Sequence, residues 1–340
     1  MHLSGYAHEP GRHCGSTSLR NLSSYYDWGL SEAESFGLAS GLGFTYLHIS
    51  DSPYRIFLGR PLWMESAFFA NCDIPHIERE GQEKADAWAA VETAIDADKP
   101  VMAFVDLFYL KYYGTDTHFA PHIVLLVGYD EESVTISDSE FSEVQTVSRE
   151  DFEQAWTSQA MVPLSRRYIV VTDPEPRASL EDAGRHAIQT TVAYMQNPDT
   201  SPWPLGDVSA THGLAGIHEF AAELPEFTAL GELAQVTWTA RFAYQMVERR
   251  GTGGGSFRRL YAGFLDSMAD VLPEISTSHG ERMHEIADDW TAVGEKFKTA
   301  SRAKSEAELH EQFVEIGDDV ADLAAKEDAL VEALDTALSE

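Results

Sequence analysis

Between Cys14 and Tyr26 the apolar positions Leu19, Leu22 and Tyr26 recur at intervals of three and four, which predicts a helix. Ser31-Glu32-Ala33-Glu34 has the form of a capping box, in which a serine and a glutamate three residues on satisfy each other's backbone N–H groups. Phe36 and Leu38 follow it, and Gly37, Gly41 and Gly43 then mark a turn or a close backbone approach. Residues 84–97, carrying Trp88, Val91 and Ile95, read as an amphipathic helix. Apolar and β-branched runs at 101–107, 123–129, 133–138 and 169–172 read as four strands.

The pattern changes after Thr172. Asp173-Pro174-Glu175-Pro176 is a rigid, turn-forming stretch and the expected boundary. From Ser179 onward nearly everything reads helical, with interruptions at 197–204, at 251–255 and at Pro273. Phe313, Ile316, Val320 and Leu323 keep helical spacing, so the last stretch reads as an amphipathic helix with a solvated acidic face. The expected fold class is therefore α+β, with a mixed domain over 1–173 and an all-helical domain over 177–340.

Charge narrows the choice of partners. The 340 residues hold 24 Lys and Arg against 56 Asp and Glu, a net charge of −32. Such a surface repels phosphate backbones, which argues against nucleic acid and anionic membranes as partners. Only 7 of the cations are lysines, a balance suited to a halophilic source, where salt screens self-repulsion. No segment approaches the ~20 consecutive apolar residues of a membrane helix, and the N-terminus lacks the pattern of a signal peptide. The expectation is a cytoplasmic protein. Two cysteines, Cys14 and Cys72, are too few for a disulfide framework.

Cys14 stands just before a helix, where unpaired N–H groups and the helix dipole favour a thiolate. A packed, unreactive thiol is the commoner fate of a free cysteine, and Cys72, in Phe68-Phe69-Ala70-Asn71-Cys72, reads that way. His122 opens one strand and Asp138 ends the next. A turn centred on Asp130 and Glu131 sets His122 opposite Ser139 or, one step away, Asp138, close enough for a carboxylate to orient an imidazole. A one-residue slip would send Asp138 to the other face. Cysteine, histidine and aspartate in this chain order make a candidate catalytic triad. Asp106, Tyr109 and His118 fall where a substrate-binding loop is expected, and the region offers no convincing ligand set for zinc. The run Gly251–Gly255 lacks the P-loop pattern, but Arg258 after it is a candidate for binding a carboxylate or phosphate, with an internal salt bridge as the alternative reading. Trp203, between two prolines, reads as a loop anchor.

The segments His13-Cys14-Gly15-Ser16-Thr17-Ser18-Leu19, Leu30-Ser31-Glu32, Gly41-Leu42-Gly43-Phe44 and Pro121-His122-Ile123-Val124 resemble the N-terminal domain of the butirosin biosynthesis protein H family. The run Gly251 to Leu265 is similar to the helical domain that commonly follows it. The resemblance implies a papain-like fold and a cysteine acyltransferase, with Cys14 as nucleophile, His122 as base and Asp138 as orienter. Its implied partners are a small-molecule or carrier-protein-bound acyl donor and an amine acceptor. No cofactor or metal is implied, and nothing in the sequence specifies an oligomeric state. Two acidic surfaces repel, so a carrier protein needs salt, and a small thioester or peptide-like donor serves equally. A cysteine peptidase or amidase is the alternative enzyme, and a binding scaffold the alternative to an enzyme. One departure matters: papain-like enzymes carry a glutamine before the cysteine as an oxyanion donor, and none precedes Cys14. The Cys14 backbone N–H, with His8 or another donor assisting, is the expected substitute.

Overall fold

The computed structural model describes residues 1–48, 54–160, 162–197 and 209–339. Trp203 and most of the interruption expected at 197–204 lie outside the described residues. In chain order the elements begin α1 (Cys14–Tyr25), α2 (Glu32–Leu38), β1 (Thr45–His48), β2 (Arg55–Leu58), α3 (Met64–Asn71), β3 (His76–Arg79), α4 (Lys84–Asp96) and β4 (Val101–Val105). There follow β5 (His122–Tyr129), β6 (Ser133–Ser137), β7 (Gln145–Ser148), α5 (Arg149–Trp156), β8 (Tyr168–Val171), α6 (Leu180–Gln196), β9 (Ser209–His212) and α7 (Gly213–Glu223). The chain ends with α8 (Leu233–Glu248), α9 (Arg258–Ala269), α10 (Thr277–Ala300) and α11 (Glu306–Ser339).

These elements form two compact units, Met1–Ser35 with Cys72–Ala178, and Phe36–Asn71 with Ser179–Glu340. Read as one cut between 173 and 177, the chain misplaces residues 36–71. Those residues carry Phe44 and Phe57, whose rings stack on each other 5.2 Å apart and meet Phe220 and Trp290 of the later chain. Burial with distant aromatics, rather than sequence neighbourhood, assigns them to the second unit.

In the first unit a six-stranded antiparallel sheet has the order β3-β8-β4-β5-β6-β7. β4 is buried along its whole length and β5 up to Gly128, as continuous apolar runs covered on both faces should be. Helix α1 packs on β5, and α4 and α5 pack against the central strands. The β5–β6 hairpin decides the site. Asp130 Oδ1 accepts from the N–H groups of Glu132 and Ser133 at 2.9 and 2.7 Å, closing the turn. Tyr129 then pairs with Val134 and Gly128 with Thr135, but Leu126 pairs with Ile136 and Leu125 with Ser137. Val127 is thus an extra residue, a β-bulge, and its carbonyl accepts instead from Leu3 N–H at 3.0 Å. Continued from the turn without the bulge, the register would set Asp138 on the face away from His122. The one-residue shift returns it to the same face as a diagonal neighbour. Direct opposition of His122 with Asp138 or Ser139, expected from the sequence, is replaced by this bulged register.

The second unit holds a three-stranded antiparallel sheet of order β2-β1-β9 among helices. Strand β9 interrupts a region that reads as all-helical. At four residues it is too short to display an alternating pattern. Of the two readings of Arg258, substrate contact is the one corrected, because the residue is fully buried in an internal salt bridge. Its Nε and Nη2 donate to the two carboxylate oxygens of Glu327 at 2.8 and 2.9 Å. Nη1 donates to the carbonyls of Gly43, Gly59 and Ser256. The glycine run before it supplies that geometry. Gly251, Gly253, Gly254 and Gly255 all have positive φ, and a Cβ on Gly255 would lie 2.4 Å from the Ala287 carbonyl oxygen.

Candidate active site

The loop that leads into Cys14 is held by one carboxylate. Glu32 Oε1 accepts from the N–H groups of Arg12 and His13, both at 2.9 Å, from Thr17 Oγ1 at 2.9 Å and from Ser16 Oγ at 3.2 Å. Gly11 makes this possible, since a Cβ there would sit 2.1 Å from Thr17 Oγ1. The chain then turns into α1 with His13 as N-cap, its side chain accepting from Ser16 N–H at 3.2 Å. Cys14 is the first residue of α1, and its thiol is buried.

His122 and Asp138 meet that thiol from the sheet. His122 Nε2 donates to Asp138 Oδ2 at 3.0 Å, which leaves Nδ1 for the hydrogen bond between His122 and Cys14. Asp138 is fully buried, and its carboxylate is saturated. Oδ2 also accepts from Tyr112 OH at 2.9 Å, and Oδ1 accepts from Tyr113 OH at 3.0 Å and from Glu140 N–H at 3.3 Å. The rings of Tyr113 and Phe119 stand edge to face with His122 at 5.7 and 6.5 Å, and Phe141 packs on both tyrosines.

Electrostatics follow from this packing. Burial alone would push the Cys14 thiol up, but the neighbouring His13 and His122 imidazoles hold it well below the ordinary thiol range. Burial likewise disfavours a charged His122, yet the Asp138 carboxylate and the thiol outweigh it and push His122 up to about 10. Asp138, which burial would raise, is held low by His122 and by its hydrogen bonds. Burial and the neighbouring carboxylate raise Tyr112 and Tyr113, so both remain hydroxyl donors. Both directions favour a thiolate on Cys14 beside an imidazolium on His122. Cys72 differs throughout: it is buried and pushed up to about 12 by burial alone.

A reactivity contrast is expected from this. At pH 6.5 an ordinary thiol of pKa about 8.5 is roughly 1% thiolate. Iodoacetamide should therefore label Cys14 at least about 100-fold faster than Cys72 under native conditions. A depressed pKa means the rate falls only when pH drops through that lowered value. Peptide mapping of alkylated protein between pH 5 and 9 measures it, and a Cys14 profile centred near 8.5 would refute the ion pair.

Other expected residues fall differently. His8 is no oxyanion donor. Its Nε2 lies 2.8 Å from the Phe141 carbonyl and must donate there, while Nδ1 meets Ser137 Oγ at 2.7 Å, so both ring nitrogens are engaged. Asp106 does not touch substrate either, being fully buried. It accepts from His118 Nδ1 at 2.6 Å, Ser158 Oγ at 2.7 Å and the N–H groups of Phe108 and Phe119 at 3.1 and 3.0 Å, and so pins the loop between β4 and β5. His118 and Tyr109 are half-buried on that loop, with His118 stacked on Phe108 at 4.1 Å. Sequence reasoning overlooked His13, Glu32, Tyr112 and Tyr113. The adjacent tyrosines in a polar loop were the available signal for the last two. Among the described residues no group of three or more His, Cys, Asp or Glu is placed to hold a metal ion.

A cysteine at a helix N-terminus, facing an imidazole and carboxylate on neighbouring antiparallel strands, defines a papain-like cysteine enzyme. The chain belongs to the family described as domain of unknown function DUF4872, whose model matches residues 150–334. Residues 13–139 match the family described as butirosin biosynthesis protein H, N-terminal. A solved structure similar to this chain is that of a C39-like peptidase from Bacillus anthracis, at 17% identity and a TM-score of 0.36, covering 51% of this chain and 96% of that one. No curated protein matches the chain. Among the described residues no helix is long and apolar enough to cross a membrane.

Proposed function

We propose that the protein is an acyltransferase that forms an acyl-enzyme on Cys14 and passes the acyl group to an amine. The observation that carries this reading is the buried His122–Asp138 pair, 3.0 Å apart, together with a buried Cys14 thiol at the start of α1 whose pKa the imidazoles lower. The Cys14 sulfur attacks a thioester or amide carbonyl carbon, and a tetrahedral oxyanion forms. Collapse breaks the bond to the donor's leaving group, which takes the proton from His122 Nδ1. An incoming amine then attacks the Cys14 thioester. A C–N bond forms, the C–Sγ bond breaks, and the amine proton returns to His122 Nδ1.

Two features favour an amine over water in the second step. The rings of Tyr113 and Phe119 pack against the buried imidazole, an apolar lining that disfavours bulk water beside it. The net charge of −32 draws cationic amines toward the protein. Tyr109 and His118 are the side chains we assign to substrate contact on the loop that Asp106 fixes.

The test is partition. An aminoacyl thioester of N-acetylcysteamine is expected to leave its acyl mass on the Cys14 peptide. With aminoalcohols, amino acid esters or an aminoglycoside present, amide should form faster than free acid. Free acid alone, whatever amine is offered, would make the protein a cysteine hydrolase. No mass on Cys14 would end the covalent mechanism and leave a binding scaffold.

A further inference from the structure

An imidazole that exchanges protons through Nδ1 has to keep the proton on Nε2, and Asp138 meets that nitrogen with one oxygen, Oδ2, at 3.0 Å. A second oxygen stands beside it. The Tyr113 hydroxyl lies 3.3 Å from His122 Nε2 and donates its own proton to Asp138 Oδ1 at 3.0 Å. We propose that Tyr113 is a positioning residue of the site, its hydroxyl bridging Asp138 and His122 so that Nε2 keeps its proton and Nδ1 is left to exchange one; the inference rests on the acyl-enzyme reading above.

Hydrogen-bond accounting fixes the direction of each contact. A phenol has one proton to give, and Tyr113 gives it to the fully buried carboxylate. Burial and that same carboxylate raise Tyr113, so the hydroxyl stays protonated. Toward Nε2 it therefore presents a lone pair. An Nε2 without its proton would face two acceptors, this oxygen and Asp138 Oδ2, with no hydrogen bond to offset the repulsion. The plane of the carboxylate is fixed as well. A terminal carboxylate torsion is broad, but Tyr113 holds Oδ1 and Tyr112 holds Oδ2 at 2.9 Å, and bonds to different oxygens stop it turning. Both phenols come from the single turn Lys111–Tyr113, which follows the fully buried Leu110 and ends at Gly114, in the left-handed region at φ 58°. Tyr113 N–H donates to the Leu110 carbonyl at 2.9 Å, and Phe141 stands edge to face on the two tyrosine rings at 5.0 and 5.1 Å. The hydroxyls thus reach the carboxylate preorganised by backbone and ring packing.

Two replacements test the bridge. Tyr113→Phe keeps the ring and its packing and removes one oxygen. With the N-acetylcysteamine thioester and an amine, its kcat is expected to fall about 10- to 100-fold, part of what a positioned base contributes, with KM within about twofold. Tyr112→Phe loses a bond to the carboxylate but none to the imidazole, and should lose less. A merely structural role would leave the bridged proton alone, so the His122 Nε2–H resonance of histidine-labelled protein is the second readout, assigned by its absence in His122→Asn. It should be sharp in wild-type protein and broadened by solvent exchange in Tyr113→Phe, well below the melting temperature of that variant, with a smaller change in Tyr112→Phe. Wild-type kcat in Tyr113→Phe, equal losses in the two variants, or an unchanged resonance in Tyr113→Phe would each overturn the assignment. Wild-type protein that never acquires the acyl mass would instead refute the acyl-enzyme reading, and the resonance alone would then decide whether Tyr113 holds the proton.

Discussion

Replacing Cys14 with alanine is expected to remove all acyl transfer and all acyl-enzyme while leaving the fold in place. Loss of a triad nucleophile commonly lowers turnover by on the order of 10⁶-fold, which here means activity at background. Stability should survive because the change leaves no buried charge without a partner: His122 keeps Asp138, and Asp138 keeps its two tyrosine hydroxyls. The alternative replacement, His122→Ala, is a poorer test. It leaves the fully buried Asp138 without its cation, a change of the kind that costs about 3–5 kcal/mol, so lost activity and lost structure would be confounded. Intact mass spectrometry after exposure to thioester, together with a thermal melt, decides the matter for Cys14→Ala. Retained turnover would move the chemistry elsewhere in the molecule.

The second large effect belongs to the core of the helical unit. Glu327→Ala is expected to cost about 3–5 kcal/mol, the usual penalty for leaving one member of a buried ion pair alone. Arg258 would keep its three carbonyl acceptors and its position 5.3 Å from the Trp290 ring centre, but no anion. Trp290 would also lose its acceptor, since its indole N–H donates to Glu327 Oε1 at 2.7 Å. At roughly 2–4 °C per kcal/mol for a unit of this size, the melting temperature should drop by about 6–20 °C. The double replacement Arg258→Met with Glu327→Leu should recover much of that loss, because paired apolar groups carry no desolvation penalty. A double-mutant cycle on thermal or urea unfolding measures both, and a drop under about 2 °C in Glu327→Ala would contradict the pairing.

Much of the site was legible along the chain. The helix after Cys14, the strand that begins at His122 and the strand that ends beside Asp138 all rest on local periodicity. The capping box is present as read: Glu34 N–H donates to Ser31 Oγ at 3.2 Å, and Ser31 N–H to Glu34 Oε2 at 2.7 Å. Where the reading failed, the cause was remote pairing. Arg258 was a plausible anion binder until Glu327, 69 positions away, consumed its charge. His8 was a plausible donor until Ser137 and the Phe141 carbonyl took both nitrogens.

The sequence alone determined where the helices and central strands form, which thiol sits at a helix start, and that the surface is strongly acidic. These depend on residues a few positions apart or on simple counting. Only the tertiary structure decided that residues 36–71 join the helical unit, that a bulge at Val127 restores Asp138 to the face of His122, and that two tyrosines clamp that carboxylate. It also put His13 and His122 at the same sulfur. Each of those outcomes turns on which distant groups share a small buried volume, and low solvent access there sets proton positions that no local pattern encodes.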